Sequence, residues 1–175
     1  MRWRVSWQGE VGSTNDLARD APFWTAVVAE RQTAGRGRQG RLWHSPAGGL
    51  WLSAVVPPPV PAQGTIALEV ARALASGYSL PIAYEPPNDL VLFGRKLGGI
   101  LVEVCFQGGR PVKGVVGVGV NVNNSARGFP PPLSEQAIAL VDVLGRPQGL
   151  RRLLGEVLSA LEVAYEKGAA CLRRR

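Results

Sequence analysis

The sequence predicts an α+β domain, a mixed β-sheet packed with helices. Apolar runs at period 2 alternate along the chain with apolar stripes at helical spacing, and no segment repeats. Hydrophobic residues make up 46% and charged residues 19% of the chain, enough to fill a core and too apolar for disorder. A chain of 175 residues buries about 70% of its unfolded surface as one domain. A single domain over residues 1–175 is therefore expected.

In chain order, Trp3 to Trp7 alternates apolar and polar residues, as a strand does. Ser13 stands as an N-cap, Thr14, Asn15 and Asp16 open a short helix, and Asp16 takes the place of a capping-box acid. Thr25 to Glu30 and Leu50 to Val56 are apolar strands on either side of a basic loop. Gln63 to Ser76 carries Ile66, Ala67, Val70, Ala71 and Leu74 as the stripe of a helix lying on a sheet, with Gly77 as its stop. Ile82 to Tyr84 is a short strand cut off by Pro86 and Pro87, and Asn88, Asp89 and Gly94 suggest turns. Leu97 to Phe106 and Val112 to Val120 flank Gln107-Gly108-Gly109-Arg110 as a hairpin, the expected centre of the sheet. Ser134 caps a helix through Leu144. Leu150, Leu153, Leu154, Val157, Leu158 and Leu161 mark another, which Gly168 ends.

Composition narrows the chemistry. A net charge of +7 and a pI near 10.2 point to an anionic partner. Arg31, Arg36, Arg38 and Arg41 crowd one stretch, and Arg173 to Arg175 form a tail that reads as a solvated end. The cysteines, Cys105 and Cys171, lack CxxC spacing and read as inert thiols in a reducing compartment. A single histidine, His44, leaves multi-His zinc sites and the usual nucleophile triads without their parts. Apolar runs fall far short of the ~20 residues of a membrane span, and the N-terminus lacks the apolar core of a secretory signal. A cytoplasmic location without membrane contact is expected.

Between the second and third strands, Gln32 to Arg41 alternates Gly35, Gly37 and Gly40 with Arg36, Arg38 and Arg41. Glycines let backbone N–H groups approach an anion, and arginines bring forked donors suited to phosphate or carboxylate. The same composition also suits a loop that grips RNA, or a solvated one. Lys96 precedes Gly98 and Gly99 at the start of an apolar strand, where a ligand can lie against backbone beside a compact positive charge. Gly117, Gly119 and Asn121 repeat the theme of bare strand positions beside a polar amide, which small packed residues would also explain.

Five segments together resemble the catalytic domain of biotin protein ligases: Ser13-Thr14-Asn15; Gln32-Thr33-Ala34-Gly35-Arg36-Gly37-Arg38 followed by Trp43; Pro87-Asn88-Asp89; Arg95-Lys96-Leu97-Gly98-Gly99-Ile100-Leu101-Val102-Glu103; and Gly117-Val118-Gly119-Val120-Asn121. They stand in the family's order over about residues 11 to 123. The resemblance implies the mixed sheet shared by biotin ligases and class II aminoacyl-tRNA synthetases. It also implies a two-step reaction, in which biotin is activated by Mg²⁺-ATP as biotinyl-5'-adenylate and transferred to a lysine of a biotin carboxyl carrier protein. Ser13, Thr14, Asn15, Gln32, Gly35, Arg36, Lys96, Gly98, Gly99 and Gly117 would form the biotin site. Arg36, Arg38, Trp43, Asn88, Asp89 and Asn121 would form the nucleotide site. Lys96, Arg38 and Asp89 would carry the chemistry, and no protein ligand is assigned to Mg²⁺. Members often pair through their sheets, so a homodimer is a further expectation.

The chain also departs from the family pattern. Glu85-Pro86 stands where members usually carry Lys-Trp. A carboxylate ~5 Å from a phosphate would repel it by up to ~3 kcal/mol where a lysine attracts. Glu85 could instead point outward, with Arg95 or Lys113 supplying the charge. With so few residues before Ser13 a winged-helix DNA-binding domain is not expected, nor is the small C-terminal barrel of many members after the Leu150 to Tyr165 helix. No DNA partner is therefore expected. Three other readings are a lipoate or octanoyl transferase-like enzyme of the same superfold, a biotin-binding protein that lost ATP chemistry, and a nucleic-acid binder using the arginine loop.

Overall fold

A computed structural model describes residues 3–172, without the side chains of residues 171 and 172. The Arg173 to Arg175 tail and the Cys171 thiol lie outside the described residues. Seven strands make one sheet: β1 (Arg4–Val11), β2 (Thr25–Gln32), β3 (Leu50–Val56), β4 (Ala83–Glu85), β5 (Asp89–Leu92), β6 (Arg95–Gln107) and β7 (Arg110–Val120), in the order β1-β2-β3-β7-β6-β5-β4. Only β1 and β2 pair in parallel, joined across the short helix α1 (Thr14–Asp20), and the other neighbours are antiparallel. The β6–β7 hairpin turns on Gly108 and Gly109, both at positive φ, the backbone a two-residue hairpin loop requires. It places β7 at the centre of the sheet, as its sequence predicted.

The pleat sorts residues between two faces. Leu50, Leu52 and Ala54 of β3, Ile100 of β6 and Val116, Val118 and Val120 of β7 pack against two helices, α2 (Gln63–Tyr78) and α5 (Leu150–Leu172). Ile66, Val70 and Leu74 of α2 and Leu153, Val157 and Leu161 of α5 fill that core. On the opposite face Ala18 of α1 covers Val27, Val55 and Val115 at one end. The remainder of that face, toward Gly99, Gly117 and Gly119, holds the site. No helix among the described residues is long and apolar enough to cross a membrane.

Several boundaries differ from the sequence expectation. Helix α2 passes through Gly77 and stops at Ser79, whose φ of 52° is left-handed. Gly77 is instead the place where Glu156 of α5 packs, its Oε2 2.7 Å from where a Cβ would stand. Gly168 likewise does not end α5; it lies against Pro61 and the helix continues to Leu172. The helix expected from Ser134 to Leu144 is two short ones, α3 (Leu133–Gln136) and α4 (Leu140–Leu144). Between them Ala137 bridges Lys96, Ile138 N–H donates to Lys96 O at 3.0 Å, and Ile138 O accepts from Asn121 Nδ2. Those tertiary bonds hold the segment extended. Asn88 and Asp89 carry turn chemistry, yet Asp89 begins β5, paired with both β4 and β6.

Candidate active site

A cavity of about 530 Å³ opens on the face opposite α2 and α5. Its floor is the backbone of β6 and β7 at Gly99, Gly117 and Gly119. A Cβ at Gly117 would stand 2.7 Å from Asn15 Oδ1, and one at Gly119 2.7 Å from Trp43 Nε1. The bare positions thus let one side chain from α1 and one from the arginine loop lie directly on the sheet.

One end of the cavity is polar and buried. Ser13, Thr14 and Asn15 at the start of α1 are each 5% exposed or less. Thr14 donates its backbone N–H to Gln32 Oε1 at 2.8 Å, and its hydroxyl lies 2.7 Å from that of Ser53. Gln32 Nε2 donates to Ser45 Oγ, which donates to Trp43 O, so the loop is tied to the same network. The Ser13 hydroxyl makes no capping bond, and Asp16 does not close a capping box. Asp16 instead takes both guanidinium nitrogens of Arg36 at 2.8 and 2.7 Å. The hydrogen bond from Arg36 holds the Asp16 carboxyl below its usual range, against the upward push of burial.

The other end is cationic. Lys96 Nζ sits 2.9 Å from Asp89 Oδ1 and 5.1 Å from the centre of the Trp43 ring. Asp89 Oδ1 is buried and has no hydrogen bond, so the ammonium compensates its charge without aligning on it. Arg38 Nη1 donates to Asn88 Oδ1 at 3.3 Å, and Asn88 Nδ2 donates to Ile100 O. The loop above is a small hairpin closed by Trp43 N–H to Gly35 O at 2.8 Å and Gly37 N–H to Arg41 O at 2.7 Å. His44, stacked edge-on against Phe129 at 4.9 Å, and the segment through Leu133, Gln136 and Ala137 complete the wall.

Ser13, Thr14, Asn15, Gln32, Arg36, Arg38, Trp43, Asn88, Asp89, Lys96, Gly99, Gly117 and Asn121 all line this one cavity. Gly35 and Gly98 do not. A Cβ at Gly35 would meet Ser45 Oγ at 2.6 Å and one at Gly98 would meet Gly119 O at 2.5 Å, so a side chain at either position would collide with the protein itself. Asn121 is 4% exposed and spends its amide on Ile138 O and on Asn124 Nδ2, fastening the end of β7 to the wall. Trp43 rests on the glycine floor itself. Glu85 is exposed and lies outside the lining, as does Arg95. Lys113 is remote in function as well, donating to Arg19 O and Ala21 O at the end of α1.

The sequence reading missed Ser53 and the wall from Phe129 to Ala137, and named Glu103, which accepts from Asn15 Nδ2 at 2.9 Å, only as the end of the Arg95 to Glu103 segment. Ser53 had a signal, as the one hydroxyl in the apolar strand Leu50 to Val56. The wall had none, because its course is set by backbone bonds from Ala137 and Ile138 to Lys96, far away in the chain.

A mixed sheet with helices on one face and a glycine-floored polar cavity on the other defines a domain of the biotin ligase and class II synthetase type. The model of the biotin/lipoate A/B protein ligase family matches residues 7–121. The chain belongs to that family. It is 32% identical over 177 aligned positions to the bifunctional ligase/repressor BirA of Bacillus spizizenii, covering 94% of this chain and 54% of that protein. It is 34% identical to the biotin--[acetyl-CoA-carboxylase] ligase of Mycobacterium tuberculosis, covering 87% and 60%. Among solved structures, the biotin protein ligase of Aquifex aeolicus in complex with biotin and ATP superposes with a TM-score of 0.83 at 31% identity, covering 93% of this chain and 70% of that one. The chain spans about half the length of the Bacillus relatives it matches.

Proposed function

We propose that this protein activates biotin with ATP and transfers it to a lysine of a biotin carboxyl carrier protein. The observation that carries this reading is the two-ended cavity: buried amide and hydroxyl groups at Thr14 and Gln32, a glycine floor, and Lys96 and Arg38 at the far end. Such a cavity suits a neutral polar ring joined to a carboxylate that must meet a phosphate. Both reactants of the first step are anions, so cations must offset their repulsion and hold them in line.

In that step a carboxylate oxygen of biotin bonds to the α-phosphorus of ATP, the α–β bridging P–O bond breaks, and pyrophosphate leaves. Lys96 neutralises the carboxylate and the phosphoryl oxygens, and Arg38 moves from Asn88 to the phosphates. Arg36 joins them by exchanging Asp16 for the ligand, a half-exposed pair of low net worth. In the second step a carrier lysine amine attacks the acyl carbon, an amide forms and AMP leaves. Asp89 is the only carboxylate among the described lining residues, and it serves to orient Lys96 and to take the proton the amine must lose. No group of three or more His, Cys, Asp or Glu is arranged for a metal among the described residues. Mg²⁺ would be held by the ATP phosphates, and Asp89 is the hard oxygen ligand that the described lining would offer it.

The test is pyrophosphate release from Mg²⁺-ATP with biotin, and with lipoate as control. Biotin-dependent release supports the reading. Release with lipoate alone, or none with either, overturns it.

A further inference from the structure

The polar end of the cavity contains more oxygen–oxygen contacts than protons to fill them. Glu103 is a carboxylate that accepts from Asn15 Nδ2 at 2.9 Å and from Arg19 Nη2 at 3.2 Å. A carboxylate only accepts, so it forces the Asn15 amide to turn its N–H₂ outward and its Oδ1 inward, toward Ser53. Ser53, fully buried at 0% exposure, must then donate its single proton to Asn15. The Ser53 oxygen, 2.7 Å from Thr14 Oγ1, is left to accept the Thr14 proton. Thr14 Oγ1 also faces Gln32 Oε1 at 3.1 Å. Three oxygen–oxygen contacts share two hydroxyl protons. Thr14 thus has one proton for two acceptors, the Ser53 oxygen at 2.7 Å and Gln32 Oε1 at 3.1 Å.

We infer that the Thr14 proton goes to the shorter contact with Ser53, so that Glu103, acting through Asn15 and Ser53, is a positioning residue that sets Thr14 and Gln32 as paired acceptors and the pocket selects a ligand presenting a ring N–H. The inference rests on the reading of this cavity as the biotin site. A cyclic urea brings that N–H; a dithiolane ring has none to offer. Glu103 is not a lining residue, and its effect is exerted wholly through the direction of the hydrogen bonds.

Two substitutions remove the constraint by different routes. Glu103→Gln keeps shape but offers Asn15 either a donor or an acceptor, so the chain can reverse and place a proton on the Gln32 side of Thr14. Ser53→Ala deletes the middle oxygen and frees the Thr14 proton for Gln32. Binding is measured by calorimetry without ATP, using biotin and its two cyclic carbamate analogues in which one or the other ring N–H is replaced by oxygen. The unaltered protein should prefer biotin to at least one carbamate by about 100-fold, since an unpaired buried group replaces a bond. Both variants should bind biotin about tenfold more weakly and narrow that preference to about tenfold or less. Variants that retain the full preference overturn the inference, whether or not both ligands weaken together as a merely structural role requires. If the unaltered protein binds no biotin, the reading of the cavity fails and this inference with it. Preferential binding without pyrophosphate release sinks only the ATP chemistry.

Discussion

Replacing Lys96 with Met separates the catalytic work of its charge from its part in the fold. Lys96 Nζ lies 2.9 Å from Asp89 Oδ1, with side chains 39% and 26% exposed. At that exposure the pair stabilises the fold by about 1 kcal/mol or less, and the ammonium over Trp43 adds ~0.5–1 kcal/mol. Losing both costs at most about 2 kcal/mol, a Tm decrease of no more than about 4–8 °C for a domain of this size. Catalysis should lose more. A unit charge ~5 Å from a phosphoryl oxygen at an effective dielectric of ~20 is worth ~3 kcal/mol, or about 100-fold in the adenylation rate. The assay is single-turnover pyrophosphate release at saturating biotin and ATP, read beside a thermal melt. The double variant Lys96→Met/Asp89→Asn discharges the stranded carboxylate, so it should recover stability without recovering rate. A Lys96→Met protein with turnover within threefold of the original, or a double variant that recovers both quantities, refutes the role given to the charge.

Three further expectations follow from the geometry. Gly119→Ala puts a methyl 2.7 Å from Trp43 Nε1, displacing the ring at ~1–3 kcal/mol; differential melts and adenylate dissociation rates should show a modest Tm decrease and faster release. Glu85→Lys, on an exposed strand end outside the cavity lining, should leave the KM for ATP within about threefold at physiological salt, where exposed charges are screened beyond ~8 Å; a tenfold gain would place this side chain at the phosphates. Burial pushes the Asp142 carboxyl up, but bonds from the Ser125 hydroxyl and the N–H groups of Ala126 and Ala139 outweigh it and hold it below its usual range. A depressed folded-state value contributes stability that is present above the unfolded value of ~3.9 and is lost as pH falls through the folded one. Melts from neutral pH downward should therefore show Asp142→Asn less stable than the original near neutrality, with the difference closing only below about pH 4.

What the sequence made legible was local. Strand β3 matches its predicted bounds because Leu50 to Val56 lies between Gly49 and Pro57, two residues that punctuate any pattern. Strand β5 escaped because Asn88 and Asp89 carry turn chemistry, while pairing to Gly99 and Glu85 decides their backbone. The helix expected from Ser134 was divided by bonds to Lys96 and Asn121, residues distant in the chain. The same limit applied at the site. Contiguous motifs brought thirteen of the candidate residues into one cavity, but glycine is one letter with two duties. Gly117 and Gly119 are floor, whereas Gly35 and Gly98 make room for Ser45 and for a neighbouring strand. Only the tertiary register tells them apart.

That register also explains why fold and site are inseparable here. In β7, Val116, Val118 and Val120 feed the helix-facing core while Gly117, Gly119 and the following Asn121 face the cavity. Its partner β6 repeats the division, with Ile100 and Val102 toward the helices and Gly99 and Glu103 toward the site. With a period of two, a slip of one residue would drive glycines into the core and valines onto the floor where Asn15 and Trp43 lie. The apolar half of each strand therefore does more than stabilise. By burying Val116, Val118 and Ile100 it selects the one pairing in which Gly117 lies beneath Asn15 and Glu103 within reach of its amide. The polar chain that orients Thr14 is in this sense held in direction by Glu103 and in place by the valines on the opposite face of the same strands.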